Sequence, residues 1–423
     1  MTITIKPIKK FDKTISIPPD KSITQRAILF ASLAKPNTKT VITNALLGLD
    51  CLSTIECVKK LGAAVEADEN SKTVTIISGE MQSTELFVGN SGTAMRLLMG
   101  ILAGKQNQEF ILDGDESIRI RPMDRVSELL AQMGADISLT NKKLAPIKIK
   151  GTVLTGKDLV SKVPSAQVKS AVLLAGMQAS GTTSITEPTK SRDHTERLLK
   201  YYGVPIKVDG NKITVTKSQI RPKDTHIVGD ISSAAFPLVL ALVLNGGKVR
   251  INDVGLNATR IGILEVFKAI GANYRILNKK SDFEKYGDIE LEYTKNLSPF
   301  MIGKDIMPSL IDEIPILAVL ACFIKGTSVI KGATELKIKE SNRLDAIVDM
   351  LSSMGASIGK TKDGMIIIGK GRLKGGATID SKGDHRIAMA GAIAGALSKE
   401  GVTIQNADCV AVSYPEFYGL FEE

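Results

Sequence analysis

The chain has no tryptophan, only 4% aromatic residues and four cysteines in 423 positions. Each shortage removes a class of function. Proteins that hold nucleic-acid strands rely on aromatic stacking platforms or long basic runs, whereas the lysines and arginines here are dispersed along the chain, so nucleic acid is disfavoured as the partner. Cys51, Cys57, Cys322 and Cys409 form no CxxC pair and show no metal-ligand spacing, so the expectation is reduced, structural thiols and no metal. A membrane span needs roughly 18 consecutive apolar residues, and no such run occurs. The lysine-bearing segment 1–11 is not followed by an apolar stretch either, so no secretory signal is indicated and the cytoplasm is the expected compartment.

What remains is a globular chain. It is 43% hydrophobic and too long for one ordinary core, which points to two domains. A formal charge of +10 implies an anionic partner, nucleic acid or a small phosphorylated metabolite, and the scatter of the charge favours the metabolite. Solubility accounts for part of the excess lysine.

A repeat organises the sequence. The pattern of paired apolar residues followed by glycine, a small residue and then a strand recurs in "CVKKLGAAVE", "LLAQMGADIS", "LLKYYGVPIK", "VFKAIGANYR" and "MLSSMGASIG". Its glycines, Gly62, Gly134, Gly203, Gly271 and Gly355, stand 72, 69, 68 and 84 residues apart. Each predicts a helix ending in a left-handed glycine that turns into a strand.

A second series runs in phase: the helix from Lys21, then "GTAMRLLMGILAG", "SAQVKSAVLLAGM", "SSAAFPLVLALVL", "DEIPILAVLACFI" and "DHRIAMAGAIAGAL". These helices are apolar nearly all round and predicted to be buried. Strand-like stretches such as "KTVTIIS", "KITVTK" and "GMIIIG" lie between them. The reading is an α/β protein of six units of roughly 70 residues, three to a domain.

The starts of the second-series helices are polar: Lys21-Ser22, Asn90-Ser91-Gly92-Thr93, Ser165-Ala166-Gln167, Asp230 to Ser233, Asp312-Glu313 and Asp384-His385-Arg386. Ser, Thr, Asn and Asp there are ordinary caps. Capping does not explain Lys21, Arg26, Arg96, Lys169 and Arg386, because the helix dipole makes this end partly positive and disfavours cations. An anion bound at the helix starts would make them welcome, since orphan N–H groups already attract negative charge and the cations complete a cage. Arg119 and Arg121 of "RIRPM", the two carboxylates of "DEIP", and Lys339, Glu340 and Arg343 of "KIKESNRL" add reactive groups. An i,i+3 ion pair is the plainer account of Glu340 and Arg343. Taken together, a carboxylate base, a carboxylate acid and an arginine-rich cage suit proton transfer beside a phosphorylated substrate.

"PPDKSITQRA", "GNSGTAMRL", "RPM", "SAQVKSAVLLAG", "KESNRL" and "GDHRIAMA" occur in the order seen in the 5-enolpyruvylshikimate-3-phosphate synthase family, which the whole chain resembles. The resemblance implies a two-domain, inside-out α/β barrel of six βαβαββ-type units with helix N-termini facing an interdomain cleft that closes on substrate. The expected domains are 18–228, on the shikimate 3-phosphate side, and 1–17 with 229–423, carrying the catalytic carboxylates. It implies transfer of the enolpyruvyl group of phosphoenolpyruvate to the 5-hydroxyl of shikimate 3-phosphate, by a monomer without metal or organic cofactor.

Carried over by motif, the catalytic groups would be Asp312 as base, Glu340 as acid and Lys21 as electrostatic and proton partner. Shikimate 3-phosphate would meet Lys21, Ser22, Arg26, Ser165, Ala166, Gln167, Ser191, Arg192, Asp312 and Lys339. Phosphoenolpyruvate would meet Lys21, Asn90, Gly92, Arg121, Gln167, Glu340, Arg343, His385 and Arg386. Gly92 leaves room for the inhibitor glyphosate. The chain departs from the commoner family pattern at Leu97, Ala166, His194, Glu335 and Val412, the last replacing a lysine that could serve the phosphoenolpyruvate phosphate. A sister enolpyruvyl transferase acting on UDP-N-acetylglucosamine is the alternative, but its loop cysteine has no counterpart near "LDGDESIRIRPM". An RNA-binding reading would require clustered basic residues that this sequence lacks.

Overall fold

The computed structural model describes residues 1–422. The chain divides into two compact units, Pro19–Ile227 and Met1–Pro18 joined with the residues from Val228 onward. The first holds helices α1 (Lys21–Ser32), α2 (Leu49–Lys60), α3 (Gly92–Ala103), α4 (Glu116–Arg119), α5 (Asp124–Gln132), α6 (Ala166–Gly176) and α7 (His194–Tyr201). The second holds α8 (Ile231–Val243), α9 (Gly262–Ile270), α10 (Ile314–Phe323), α11 (Arg343–Ser353) and α12 (His385–Leu397).

Two helix types alternate, as the two sequence series require. Helices α2, α5, α7, α9 and α11 present one apolar face and run into Gly62, Gly134, Gly203, Gly271 and Gly355, with φ of +110°, +93°, +82°, +83° and +88°. A side chain disfavours that conformation, which is why glycine recurs there. Helices α1, α3, α6, α8, α10 and α12 are buried over most of their length. Within the first unit α3 packs on α6 and α1; within the second α8, α10 and α12 pack on one another. Gly100 sets the closeness of α3 to α6, since a methyl group there would lie 2.1 Å from the carbonyl oxygen of Ala171.

Their first turns follow from capping chemistry. Asp20 Oδ1 accepts from the Ile23 amide at 2.9 Å, after tandem prolines that keep the chain extended. Ser91 caps α3, Ser165 caps α6, Asp230 caps α8 and Asp384 caps α12. Helix α10 instead carries Pro315 in its first turn, where a missing N–H costs nothing.

Three four-stranded sheets lie in the first unit, with one pairing scheme. Thr225–His226 runs parallel to Lys39–Thr43, which pairs antiparallel with Thr73–Ile77 and that with Ala64–Asp68. Thr84–Phe87, Glu109–Asp113, Leu144–Lys150 and Asp136–Thr140 repeat the scheme. So do Asp158–Val160, Thr182–Thr186, Lys212–Thr216 and Ile206–Asp209. In the second unit, the sheets that contain Lys248–Gly255 and Gly326–Ile330 follow it again, and a three-stranded sheet joins Thr2–Ile5, Val402–Gln405 and Ala377–Asp380. The strands alternate buried and exposed positions, as in Thr73–Ile77, so one face of each sheet packs under the helices.

Two glycine substitutions separate backbone strain from collision. At Gly203 nothing lies within 4 Å of an added methyl, so Gly203→Ala carries only the left-handed penalty of about 1–2 kcal/mol. Gly100→Ala must push two helix backbones apart and is expected to cost more. Chemical denaturation of both variants checks this order.

Candidate active site

In the unit Pro19–Ile227 the starts of α1, α3 and α6 are tied together by side chains. Gln25 Nε2 donates to Ser91 Oγ at 2.6 Å, joining α1 to the cap of α3. Arg96 Nη1 donates to Gln167 Oε1 at 2.6 Å, and Gln167 Nε2 donates to Thr93 Oγ1 at 3.0 Å, joining α3 to α6. Lys21 Nζ meets Asp50 Oδ2 at 2.9 Å, at the start of α2, with both side chains largely buried. Asp50 thus supplies negative charge beside a cation that the α1 dipole disfavours.

Arg26 is buried and reaches three elements. Its Nη1 donates to Ser22 Oγ at 2.6 Å, Nε to Thr195 Oγ1 at 2.8 Å and Nη2 to Ser170 Oγ at 3.2 Å. It therefore orients Ser22 and clamps α1 to α6 and α7. Of the two arginines in "RIRPM", Arg119 is exposed and pairs with Asp113, whereas buried Arg121 donates to Asn90 Oδ1 at 2.5 Å and Ser117 Oγ at 2.8 Å. A methyl on Gly92 would lie 2.8 Å from Arg96 Nη1 and 3.4 Å from Arg121 Nη1. Gly92 accordingly sits between two guanidinium groups. Ser165 caps α6, and Ala166 opens that helix.

Lys169 departs from the expected anion cage. It is fully buried and meets Glu187 Oε2 at 2.9 Å and Glu196 Oε1 at 2.7 Å. Burial disfavours its charge, but the two carboxylates outweigh burial and hold its pKa above the ordinary lysine value. Glu187 also accepts from Ser191 Oγ at 2.6 Å, so Lys169 braces the loop that carries Ser191 and Arg192. His194 is buried beside Asp20, at 3.9 Å.

In the other unit a guanidinium gathers three carboxylates. Arg343, fully buried, donates from Nε to Asp384 Oδ2 at 2.8 Å and from Nη2 to Glu340 Oε2 at 2.6 Å, and its Nη1 stands 3.4 Å from Asp312 Oδ1. The i,i+3 pair of Glu340 and Arg343 is real, and it is one arm of this larger cluster. Arg386 Nη1 donates to the Asp312 carbonyl at 3.2 Å, with Nη2 at 3.7 Å from Asp312 Oδ2; Lys339 Nζ lies 4.0 Å from Oδ1. His385 is the buried first residue of α12. The two carboxylates of "DEIP" part company. Asp312 faces the arginines, whereas Glu313 is fully buried, accepts from Ser232 Oγ, and leaves Oε2 without a hydrogen-bond partner among the described residues. Burial pushes the Glu313 carboxyl well above the usual range.

Sequence alone does not mark Asp50, Glu187, Arg260 or Asp384 as partners of these cations and carboxylates. Asp50 is an ordinary first-turn acid, Asp384 read as a cap, and nothing in "NATRIG" distinguishes Arg260 from other arginines. Burial pushes Cys57 and Cys322 up to about 12 and Cys409 up to about 11, far from a reactive thiolate at neutral pH. Among the described residues no helix is long and apolar enough to cross a membrane.

The family model for EPSP synthase (3-phosphoshikimate 1-carboxyvinyltransferase) matches residues 5–420. The chain belongs to the EPSP synthase family. It is 47% identical to a 3-phosphoshikimate 1-carboxyvinyltransferase of Bacillus velezensis, over 96% of this chain and 95% of the relative. It is 42% identical to the one from a Thermotoga strain, over 99% of this chain and 98% of the relative. An EPSP synthase structure from Acinetobacter baumannii superposes with a TM-score of 0.87 at 37% identity, covering 99% of this chain and 97% of that one. The enolpyruvyl transferase NikO from Streptomyces tendae shares the fold, with a TM-score of 0.80 at 15% identity over 99% and 95% of the two chains. As a member of the EPSP synthase family, the chain has a mixed α/β, two-domain fold.

Two buried titratable groups give stability predictions. Lys169→Met leaves Glu187 and Glu196 buried without their cation and should destabilise the protein by about 3–5 kcal/mol. Lys162→Met, which removes an exposed pair with Glu128, should leave the denaturation midpoint unchanged. For Glu313, the raised folded pKa means that its contribution is full below the unfolded value near 4.5 and is lost as pH rises through the folded value. Glu313→Gln, a permanently uncharged analogue, should therefore gain on the wild type in stability as pH rises from about 4.5 to 8, and thermal melts across that range check the sign.

Proposed function

We propose that this chain transfers the enolpyruvyl group of phosphoenolpyruvate to the 5-hydroxyl of shikimate 3-phosphate and releases phosphate. The observation that carries the reading is the Arg343 cluster: candidate base Asp312 and candidate acid Glu340 are held by one guanidinium, beside Arg386. Membership of the EPSP synthase family supports it. The six-unit inside-out barrel with its helix starts turned towards the substrates belongs to the same proposal. So do a monomeric enzyme working in the cytoplasm, and shikimate 3-phosphate held mainly by Pro19–Ile227 with the proton-transfer carboxylates in the other unit.

The chemistry needs two proton movements and two anion sites. Asp312 accepts the proton of the 5-hydroxyl as its oxygen attacks C2 of phosphoenolpyruvate, and Glu340 protonates the C3 methylene, giving a tetrahedral ketal phosphate. The C2–O bond to phosphate then breaks, C3 returns a proton to Glu340, and the departing phosphate carries off the proton that Asp312 had taken, leaving as inorganic phosphate with Asp312 ionised again. Arg121, Arg343 and Arg386 stabilise the phosphate as it departs, and Lys21 offsets charge at the reacting oxygen. Ser22, Ser165, Ala166, Gln167, Ser191, Arg192 and Lys339 hold shikimate 3-phosphate, with Arg26 orienting Ser22. Asn90, Gly92, Gln167 and His385 border phosphoenolpyruvate.

The fold recurs in an enolpyruvyl transferase at only 15% identity, and a fold does not set the acceptor, so acceptor choice needs its own test. Phosphate release should be fast with shikimate 3-phosphate and absent with UDP-N-acetylglucosamine; the reverse result overturns the assignment. Asp312→Ala and Glu340→Ala should each lower kcat by about 10²- to 10⁴-fold, and the Glu340 variant should still bind shikimate 3-phosphate by calorimetry.

Gly92→Ala should discriminate between substrate and inhibitor. The added methyl presses on the guanidinium ends of Arg96 and Arg121, and an overfilled site costs about 1–3 kcal/mol. Glyphosate is longer than phosphoenolpyruvate in this direction, so its Ki should rise more than the substrate KM. Steady-state inhibition of both forms measures the two changes.

A further inference from the structure

Three arginines bear on the Asp312 carboxylate, and two of them carry family phosphoenolpyruvate motifs. Arg343 Nη1 approaches Oδ1 at 3.4 Å and Arg386 Nη2 approaches Oδ2 at 3.7 Å. The third is Arg260, whose Nη1 lies 3.6 Å from Oδ2. It is buried and anchored at its other end, where Nη2 donates to Ser232 Oγ at 2.6 Å and to Asp230 Oδ1 at 3.1 Å, in the cap of α8. The backbone leading to it is fixed too. Asn257 Oδ1 accepts from the Thr259 amide and hydroxyl, both at 2.8 Å, and Asn257 Nδ2 donates to Glu284 Oε2 at 2.9 Å.

The arrangement raises a question of exchange. When phosphoenolpyruvate arrives, its phosphate and carboxylate compete for the guanidinium donors of Arg343 and Arg386, and the hold of those groups on Asp312 weakens. A base freed from its partners would lose the orientation that proton transfer from the hydroxyl needs.

We propose that Arg260 is a positioning residue that keeps the Asp312 carboxylate in place from the α8 cap while Arg343 and Arg386 turn to substrate. This rests on the proposed reaction for its kinetic consequence, although the placement itself does not. Arg260 touches no substrate. It acts through Asp312 and is fixed by Asp230 and Ser232.

The test uses Arg260→Gln, which keeps hydrogen-bonding groups and removes the charge, and Arg260→Lys, which keeps the charge. Charged groups set against Asp312 include Arg260, Arg343, Arg386, Lys339 and its neighbour Glu313. Loss of one cation disfavours the carboxylate, so the acid limb of the kcat profile should move to higher pH in Arg260→Gln, by about one unit. Its kcat at the optimum should fall by roughly 10- to 100-fold with KM for phosphoenolpyruvate within about twofold of wild type, and Arg260→Lys should recover much of the loss.

Should Arg260→Gln fail to fold by circular dichroism, Asp230→Asn unfastens the far end of Arg260 while retaining a capping side chain, and should shift the limb in the same direction. An unchanged acid limb with unchanged kcat in a folded variant overturns the proposal. A rise in phosphoenolpyruvate KM alone also overturns it, since that would mean direct contact with substrate. Carbon-13 carboxyl titration, with Asp312 assigned through Asp312→Asn, separates the two readings: it should move upward in Arg260→Gln even if the wild type transferred no enolpyruvyl group. No movement overturns the positioning role, and absence of wild-type turnover overturns the proposed reaction.

Discussion

A cation at the start of a buried helix needs negative charge close by, because the helix end is already partly positive and no water screens it. Much of the polar structure follows from that constraint. Lys21 finds Asp50, and Arg343 and Arg386 find Asp312, with Asp384 and Glu340 completing the set. Arg96 donates to Gln167 and the Pro122 carbonyl, and Arg26 to Ser22, Thr195 and Ser170. These partners hold the cations oriented near the helix starts. In the proposed reaction, substrate anions would replace the carboxylates that now face Lys21, Arg343 and Arg386, so that little new charge is created in a dry interior.

The same constraint accounts for the partners of Asp312 and Glu340, the two carboxyl groups proposed for proton transfer. Asp312 and Glu340 are largely buried groups that would cost heavily if unpaired, and Arg343 stabilises both while keeping them apart. Glu313, one residue from Asp312, has no such neighbour in hydrogen-bond contact except Ser232, and its pKa rises. Asp312 faces guanidinium groups, whereas Glu313 is buried against a hydroxyl, and burial outweighs the pull of Arg260 and Arg386 on it.

Much of this was legible in the sequence, for physical reasons. The five glycines at the ends of the amphipathic helices declare themselves because a positive φ admits few other residues. Asp20, Ser91 and Asp384 declare helix starts because a cap must sit one residue before the first turn. The anomalous cations showed where to look. What spacing could not show is direction: Lys169 is the fourth residue of α6 and Arg96 the fifth of α3, and one residue rotates a side chain by about 100° around the helix. That rotation separates Arg96, bonded to Gln167, from Lys169, buried against Glu187 and Glu196. Arg260 was illegible because it lies between elements, where no periodicity speaks, and it gains meaning only from the distance to Asp312.

The central claim is that Glu340 places a solvent-derived proton on the methylene carbon of phosphoenolpyruvate and later removes one. In heavy water that carbon passes through a methyl group holding one deuterium, and loss of a proton in the elimination leaves deuterium in the vinyl group of the product. Nuclear magnetic resonance of the product formed in heavy water is therefore the most direct measurement. The account predicts deuterium at the vinyl carbon with the wild type and residual turnover at best with Glu340→Gln. A product formed at full rate without deuterium at that carbon would contradict it.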